Sequence, residues 1–375
     1  MSIRLAVFFT WDISVQLWND TGLLSREKRL YEELVKKNIC KEIYWFSYGV
    51  QDAVYQHLLP SAIHIISKPR CFPGKIGTVL YAFFLPIIHK TILSQCDLYK
   101  TNQMSGSFVG VLARFLCGKP LIVRTGYSLS SFARLKGYHI RYWWARFLEY
   151  FSYSYADGVI VAGEEEYKNV LRKYSISFVR RIPNYVDVEI FTSSTKQEEK
   201  VGDLVFVGRL DPQKNIESLL YALVGLPYRL DIYGSGTLKD KLKDLAKSLG
   251  VSVHFQGAVS NLLLPSILNQ YTLYVLCSHY EGTPKSLLEA MACGLPCLGT
   301  NVAGIRDVLA HGKTGWLVEP TVKDLQDGIS KIMGDKQLQE RLGREARHFV
   351  AEQHSLAATV EKEACLYCQV IKSSS

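Results

Sequence analysis

Two carboxylates, Glu281 and Glu289, stand eight residues apart in the string EGTPKSLLE, with a turn and a helix start between them. A carboxylate accepts hydrogen bonds in pairs, and the vicinal hydroxyls of a sugar or a ribose donate in pairs. Pro284 has no amide hydrogen and a preset φ, which suits the first position of a helix, while Gly294 suits the end of one. The spacing therefore predicts a helix over about 284–293. Its amino end leaves N–H groups without helical acceptors near Gly282, Thr283 and Lys285, and the helix dipole adds to them, so an anion fits there. Glu281 lies in the loop before that end. Glu289 lies two turns inside, from where its carboxylate can return toward the same cleft. A phosphate between two polyols is the ligand this arrangement suits. The plainer alternative is an amphipathic helix with two surface glutamates.

Cations come from further upstream. LVFVGRLDPQKN reads as a strand ending at Gly208, followed by Arg209 and Lys214. In open α/β sheets ligands bind beyond the carboxyl ends of the strands; Gly208 would let a phosphate approach the backbone while the two cations neutralise it. A βα turn with two solvent-facing cations is the alternative. DIYGSG, with Gly234 and Gly236, marks another strand end. The sequence holds no Asp-x-Asp, so the usual carboxylate platform for a divalent ion is missing.

The elements that must position these groups alternate between short β-branched apolar runs and helical patterns, which predicts βα repeats with parallel sheets buried under helices, Rossmann-like in each half. Strands are expected near 4–9, 42–47, 63–67, 97–101, 121–124 and 158–162, with helices at 26–37 and 135–155 among those between them. In the second half strands are expected near 203–207, 229–233, 253–256, 271–276, 297–299 and 315–318. The polar stretch SSTKQEEK at 193–200 has no apolar periodicity and is expected to link the halves across a cleft. The expected domains are thus 1–192, with the C-terminal helix at about 355–375 packing back on it, and 201–354.

A chain of 375 residues with 48% hydrophobic content can bury two cores. Nine cysteines, an odd number set mostly in apolar segments, predict reduced thiols in a cytosol. The pairs Cys293/Cys297 and Cys365/Cys368 lack a matching second half or nearby histidines, so no metal site is expected. The start, MSIRLAVFFTWDIS, has too short an apolar run for a signal peptide, and the longest run, at 79–88, contains Pro86 and is too short to span a bilayer. A cytoplasmic protein is expected. Charge is unevenly placed: residues 1–192 hold 24 Lys+Arg against 15 Asp+Glu, and residues 193–375 hold 20 against 20. Between Ala53 and Tyr150 the count is 12 against only Asp97 and Glu149, interleaved with aromatics. Such a surface attracts polyanions or an anionic membrane face. Arg134, Lys136, Arg141 and Arg146, beside Tyr138, Tyr142 and Trp143 on one expected helix, are the residues for that role. The alternative is a solvated basic face. A nucleic-acid partner is not expected, because these cations fall in no RRM, KH or helix-turn-helix context.

The order GRLDPQKN, YGSG, VHFQGAVS, SHYEGTPKSLLEAMACGLPCLGTNVAG and HGKTGWLV resembles the carboxyl-terminal domain of retaining glycosyltransferases of family 4, with the GT-B fold, and is similar to bacterial surface-polysaccharide glycosyltransferases. The likeness is close over 203–318; in the first half it rests on the βα pattern and on IPNYVDVEIF. There Tyr185 replaces the family's usual glycine, and neither Asn184 nor Asp187 receives a ligand role. The resemblance implies two Rossmann-like domains with parallel sheets facing across an interdomain cleft. It implies that Arg209 and Lys214 hold the diphosphate of a UDP- or GDP-sugar, that Glu281 faces the donor sugar and that Glu289 receives the ribose hydroxyls. Gly282, Thr283, Lys285, Ser286 and Leu287 fall where backbone groups meet sugar and phosphates, with Gly208 beside them, and Val259 lies in the loop bordering the base. WDISVQLWNDTG replaces the glycine pair that often follows the first strand, leaving the single Gly22 for a longer diphosphate loop. The activity implied is retaining, metal-independent transfer, without a cofactor, from a nucleotide sugar to a lipid-linked glycan in surface polysaccharide synthesis, peripheral on the inner membrane face. A nucleotide-sugar epimerase of the same fold is the competing enzyme.

Overall fold

The computed structural model describes residues 2–126, 128–135, 137–193 and 201–374. The expected linker therefore lies, apart from Ser193, outside the described residues. The chain forms two compact units, Met1–Pro183 with Thr359–Ser375, and Asn184–Ala358.

The first unit is built on strands β1 (Ile3–Phe8), β2 (Cys40–Phe46), β3 (Ile63–Ile66), β4 (Leu98–Thr101), β5 (Leu121–Thr125), β6 (Gly158–Val161) and β7 (Phe178–Arg181). Their order is β3-β2-β1-β4-β5-β6-β7, and every pairing is parallel. Helices cover both faces of such a sheet, so its strands read as near-continuous apolar runs; in β1, Leu5, Ala6, Val7 and Phe8 are all buried. The edge strand β7, FVRR, pairs only with β6 and escaped the sequence reading because two of its four residues are arginines. The helix expected at 135–155 is two helices, Leu129–Leu135 and His139–Ser154. Gly137 lies between them at φ +69, a conformation that ends a helix and that glycine adopts without strain. The helix Leu356–Ser374 ties down the middle of this sheet. Lys100 of β4 is fully buried, bonds the Glu363 carboxylate and reaches the Tyr367 hydroxyl at 3.1 Å. Removing one partner of a buried pair costs roughly 3–5 kcal/mol.

The second unit holds β8 (Gly202–Val207), β9 (Leu230–Tyr233), β10 (Val253–Gly257), β11 (Tyr271–Leu276), β12 (Cys297–Thr300) and β13 (Trp316–Val318). The order is β10-β9-β8-β11-β12-β13, again all parallel. Both units are thus doubly wound α/β sheets, as the sequence pattern predicted. Each reverses direction once, between β1 and β4 and between β8 and β11, and a crevice opens beyond the strand ends at such a switch point.

Candidate functional site

In the second unit the turns after β8 and β11 meet at the switch point. The β8 turn runs through Gly208 and Arg209 into a single 3₁₀ turn, Pro212–Lys214, ended by Asn215 at φ +52. Two hydrogen bonds fasten it to the β11 turn: the His279 amide donates to the Gln213 carbonyl at 2.9 Å, and Gln213 Nε2 donates to the Tyr280 carbonyl at 2.8 Å. This places Lys214 Nζ 2.5 Å from Glu281 Oε1, with the two side chains 11% and 8% exposed. Ser278 Oγ donates to the same carboxylate oxygen at 2.6 Å. Its own carbonyl is held by Thr300 Oγ1 at 2.6 Å, so the end of β12 also braces the turn. Cys277 donates its thiol to the Lys214 carbonyl at 3.1 Å, and burial pushes that thiol up to about 12, so its sulfur packs rather than attacks.

The helix Lys285–Ala292 follows, one residue shorter at each end than predicted, with Pro284 as its N-cap and Gly294 just past its end at φ +71. Leu287, Leu288, Ala290, Met291 and Ala292 are buried, each large side chain contributing about 1.5–3 kcal/mol by leaving water. Glu289 is buried among them, 4% exposed, and accepts from Asn261 Nδ2 at 2.8 Å. A carboxylate in a helix that is otherwise core must be matched by donors, which makes it a functional candidate. Asn261 lies just beyond Val259, whose side chain is half-buried against the second unit's core. Thr283 is buried, and its carbonyl accepts from Asn184 Nδ2 at 2.7 Å. Lys285 and Ser286 are half-buried, with Ser286 Oγ taking the Tyr274 hydroxyl at 2.8 Å. Leu287 can offer only its backbone.

Close backbone contacts fix the turns. A side-chain carbon on Gly304 would sit 1.6 Å from the Gly282 carbonyl oxygen, and one on Gly234 would sit 1.8 Å from that of Gly208. Glycine alone fits at both. Of the expected residues, then, Gly208, Lys214, Glu281 and Gly282 share the knitted turns, and Thr283 to Glu289 continue into the helix. Arg209 differs: its side chain is 74% exposed and pairs with Asp211 at 3.4 Å. Gly22 does not lie in the loop after β1. It follows the helix Val15–Asp20, whose amino end faces the strand end instead. There the Asp52 carboxylate accepts the Val15 and Gln16 amides at 2.8 and 3.1 Å, so that helix start is already occupied by a carboxylate of the protein. Ser278, Asn261 and Gly304 are not singled out by the sequence reading, and Asn184 is denied a ligand role there; the location of Ser278 and Gly304 within the motif string, and of Asn184 within IPNYVDVEIF, is the signal that could have flagged those three.

In the first unit, Arg134, Arg141 and Arg146 are exposed, and Lys136 lies outside the described residues. Arg141 stacks over Tyr138 at 4.9 Å and Arg146 over Tyr142 at 5.9 Å. Beside them Ile140 and Trp143 are 88% and 69% exposed, and Trp144 61%. Among the described residues no helix is long and apolar enough to cross a membrane.

Residues 187–349 match the family model described as glycosyl transferases group 1. The chain is 27% identical over 209 residues to N-acetyl-alpha-D-glucosaminyl L-malate synthase of Bacillus anthracis, a stretch covering 52% of this chain and 54% of that protein. It is 28% identical to poly(ribitol-phosphate) alpha-N-acetylglucosaminyltransferase of Staphylococcus aureus, over 55% of this chain and 43% of the relative. The match thus spans about half the length of these curated relatives. UDP-Gal:alpha-D-GlcNAc-diphosphoundecaprenol alpha-1,3-galactosyltransferase of Escherichia coli is 26% identical over 89% of this chain and 88% of its own. Among solved structures, sucrose-phosphate synthase from Thermosynechococcus elongatus superposes with a TM-score of 0.80 at 19% identity, covering 99% of this chain and 100% of the other. An Anabaena protein, HepE, in complex with UDP and glucose gives 0.76 at 18% identity, covering 98% and 100%. The resemblance read from the order of motifs is borne out, and the fold is GT-B.

Proposed function

We propose that this chain, whose second unit carries the glycosyl transferases group 1 domain, is a retaining, metal-independent glycosyltransferase that moves a sugar from a UDP- or GDP-sugar to a lipid-linked glycan at an anionic, cytoplasmic membrane face. The observation that carries the reading is the Lys214–Glu281 pair, set at the β8/β11 switch point just before the amino end of Lys285–Ala292. A sugar leaving a nucleoside diphosphate passes through an oxocarbenium-like state, so the site must stabilise negative charge on the departing phosphate with preorganised donors. Lys214 and the amides of the helix start meet that charge. The exposed Arg209 guanidinium supplies a second cation at the rim. Glu281, held by Lys214 and Ser278, faces the sugar as an electrostatic and hydroxyl-binding group in a same-face transfer rather than as the nucleophile. Glu289, with Asn261, receives the ribose hydroxyls. The relatives support acceptors of this kind, the Escherichia coli protein being named for a diphosphoundecaprenol-linked sugar.

The test screens UDP- and GDP-sugars by mass spectrometry with extracted lipid-linked acceptors, in chelator, and reads the product's anomeric configuration by NMR. A product of inverted configuration, or one abolished by chelator, overturns the mechanism. An isomerised sugar formed from donor alone would mark an epimerase instead. Co-sedimentation with anionic but not neutral vesicles, weakened by salt and by joint replacement of Arg134, Lys136 and Arg141 with glutamine, tests the membrane surface.

A further inference from the structure

The first unit has its own switch point, between β1 and β4, and what lies there is not polar. A cavity of about 760 Å³ opens among the helices Gly74–Ile88, Ser107–Cys117, Leu129–Leu135 and His139–Ser154. Trp11 and Ser105 sit in the segments that follow β1 and β4, and Leu129 opens the helix that follows β5, so the cavity stands at the sheet end where ligands of open α/β sheets collect. Its volume falls within the ~300–1,000 Å³ of small-molecule sites. Its walls are hydrocarbon and aromatic, with Ser105, the Tyr138 hydroxyl and the Arg141 guanidinium as the polar breaks. A nucleotide or a glycan would find almost nothing to bond there, and the nearby helix start is already filled by Asp52.

The cavity continues into open surface. Phe83, Trp144 and Phe147 line it and are still 55%, 61% and 58% exposed, and the same helices carry Ile76, Ile87 and Ile140, all exposed as well. Contiguous exposed apolar surface of this kind marks a binding face. Charge selects the partner. The four walling helices carry Lys75, Arg134, Arg141 and Arg146, besides Arg114, which pairs with Asp157 at 2.6 Å, against one acid, Glu149, which is buried on Ser128 and Ser130. A second copy of the chain would set these cations against their own kind, which is costly. An anionic group joined to a long apolar chain satisfies both the rim and the walls.

We infer that this cavity takes the hydrocarbon chain of the lipid-linked acceptor, with Arg141 at its mouth beside the phosphate that joins chain to glycan. The inference rests on the acceptor class proposed above. It gives the exposed aromatics a purpose beyond lying on a membrane: the chain is drawn off the bilayer and threaded past Trp144 toward the sheet end.

The experiment titrates farnesyl monophosphate into the full chain by calorimetry, with UDP or GDP in excess to occupy the phosphate site of the second unit. Saturable binding is expected, undiminished by either nucleotide. Narrowing the cavity with Leu112→Trp, or removing its exposed wall with Trp144→Ala, should weaken binding about tenfold, the equivalent of roughly two buried methylenes lost. Arg141→Gln should weaken farnesyl monophosphate but not farnesol. Because Trp144 is exposed, its variant tests the proposal even if Leu112→Trp fails to fold. Absence of saturable binding overturns the inference. So does equal displacement by phosphatidylglycerol, which would assign the cavity to bulk lipid, or a solution dimer abolished by Trp144→Ala, which would assign it to a second copy. Thermal protection by UDP- and GDP-sugars, read alongside, separates the two readings. Protection without farnesyl monophosphate binding sinks only this inference, and the reverse sinks the transferase reading while leaving a prenyl-phosphate site.

Discussion

Replacing Lys214 with methionine leaves Glu281 in a place built for two charges. At 2.5 Å and an effective dielectric of ~20 the attraction is about 7 kcal/mol, and desolvating each ion offsets several kcal/mol of it. The net worth of the intact pair is therefore small, whereas the orphaned carboxylate keeps its desolvation cost with only part of its partners. Lys214→Met should lose roughly 3–5 kcal/mol in urea unfolding at neutral pH. Lys214→Met with Glu281→Gln should return close to wild-type stability, since neither group is then charged. Turnover should behave otherwise: single and double variants alike should lose roughly 10²–10³ in kcat, one preorganised contact to the leaving phosphate being gone in both. Arg209→Ala, at a 74% exposed position, should lose turnover in the same range with no measurable stability change. Steady-state kinetics with the identified donor decides. If the double variant recovers wild-type kcat together with its stability, the pair is a scaffold, and the chemistry assigned to it is wrong.

Glu289→Gln should chiefly raise the donor KM while Glu281→Gln chiefly lowers kcat, since ribose is held in ground and transition states alike and the sugar is not; if both change KM alone, Glu281 is only a binding group. Gly304→Ala must push the Gly282 carbonyl from 1.6 Å contact and with it the Glu281 turn, so kcat should fall roughly 10²-fold in a protein that still folds, and unchanged kcat would show that the turn's position is unimportant. In the first unit, burial and then the charge of Glu149 raise Glu166 from 4.5 to about 7. The folded state therefore holds this proton more tightly than the unfolded chain, and the stabilisation present below pH 4.5 is lost as pH rises through about 7, a fall of about 3 kcal/mol. Glu166→Gln should flatten the decline of Tm between pH 5 and 8, and an unchanged slope would refute the assignment.

What could be read from the sequence follows from which interactions are local. Strands such as LVFVG and YTLYVL announced themselves because both faces of a parallel sheet are buried, and their apolar runs are interrupted by little else. The arginines of β7 concealed an edge strand, and Gly137 concealed a helix end, because a glycine inside a periodic pattern can be tolerated or can terminate it, and only its positive φ decides. Glu281, Lys214 and Glu289 were legible by type and by their order in the motif string. Their partners were not. Ser278 acts three residues from Glu281, but Asn261 reaches Glu289 across 28 residues and Asn184 reaches Thr283 across 99, distances over which only the switch-point topology brings side chains together. The aromatics of 139–154 show the same limit from the opposite side. Period and composition could not say which of Tyr142, Trp143 and Trp144 packs inward, since nearly every position on that helix is apolar or basic. The fold leaves both tryptophans largely in water, with Trp144 at the wall of the apolar cavity. Burial of a large aromatic is worth about 1.5–3 kcal/mol, so surface of that kind left exposed by a chain with two well-filled cores signals a partner outside the chain.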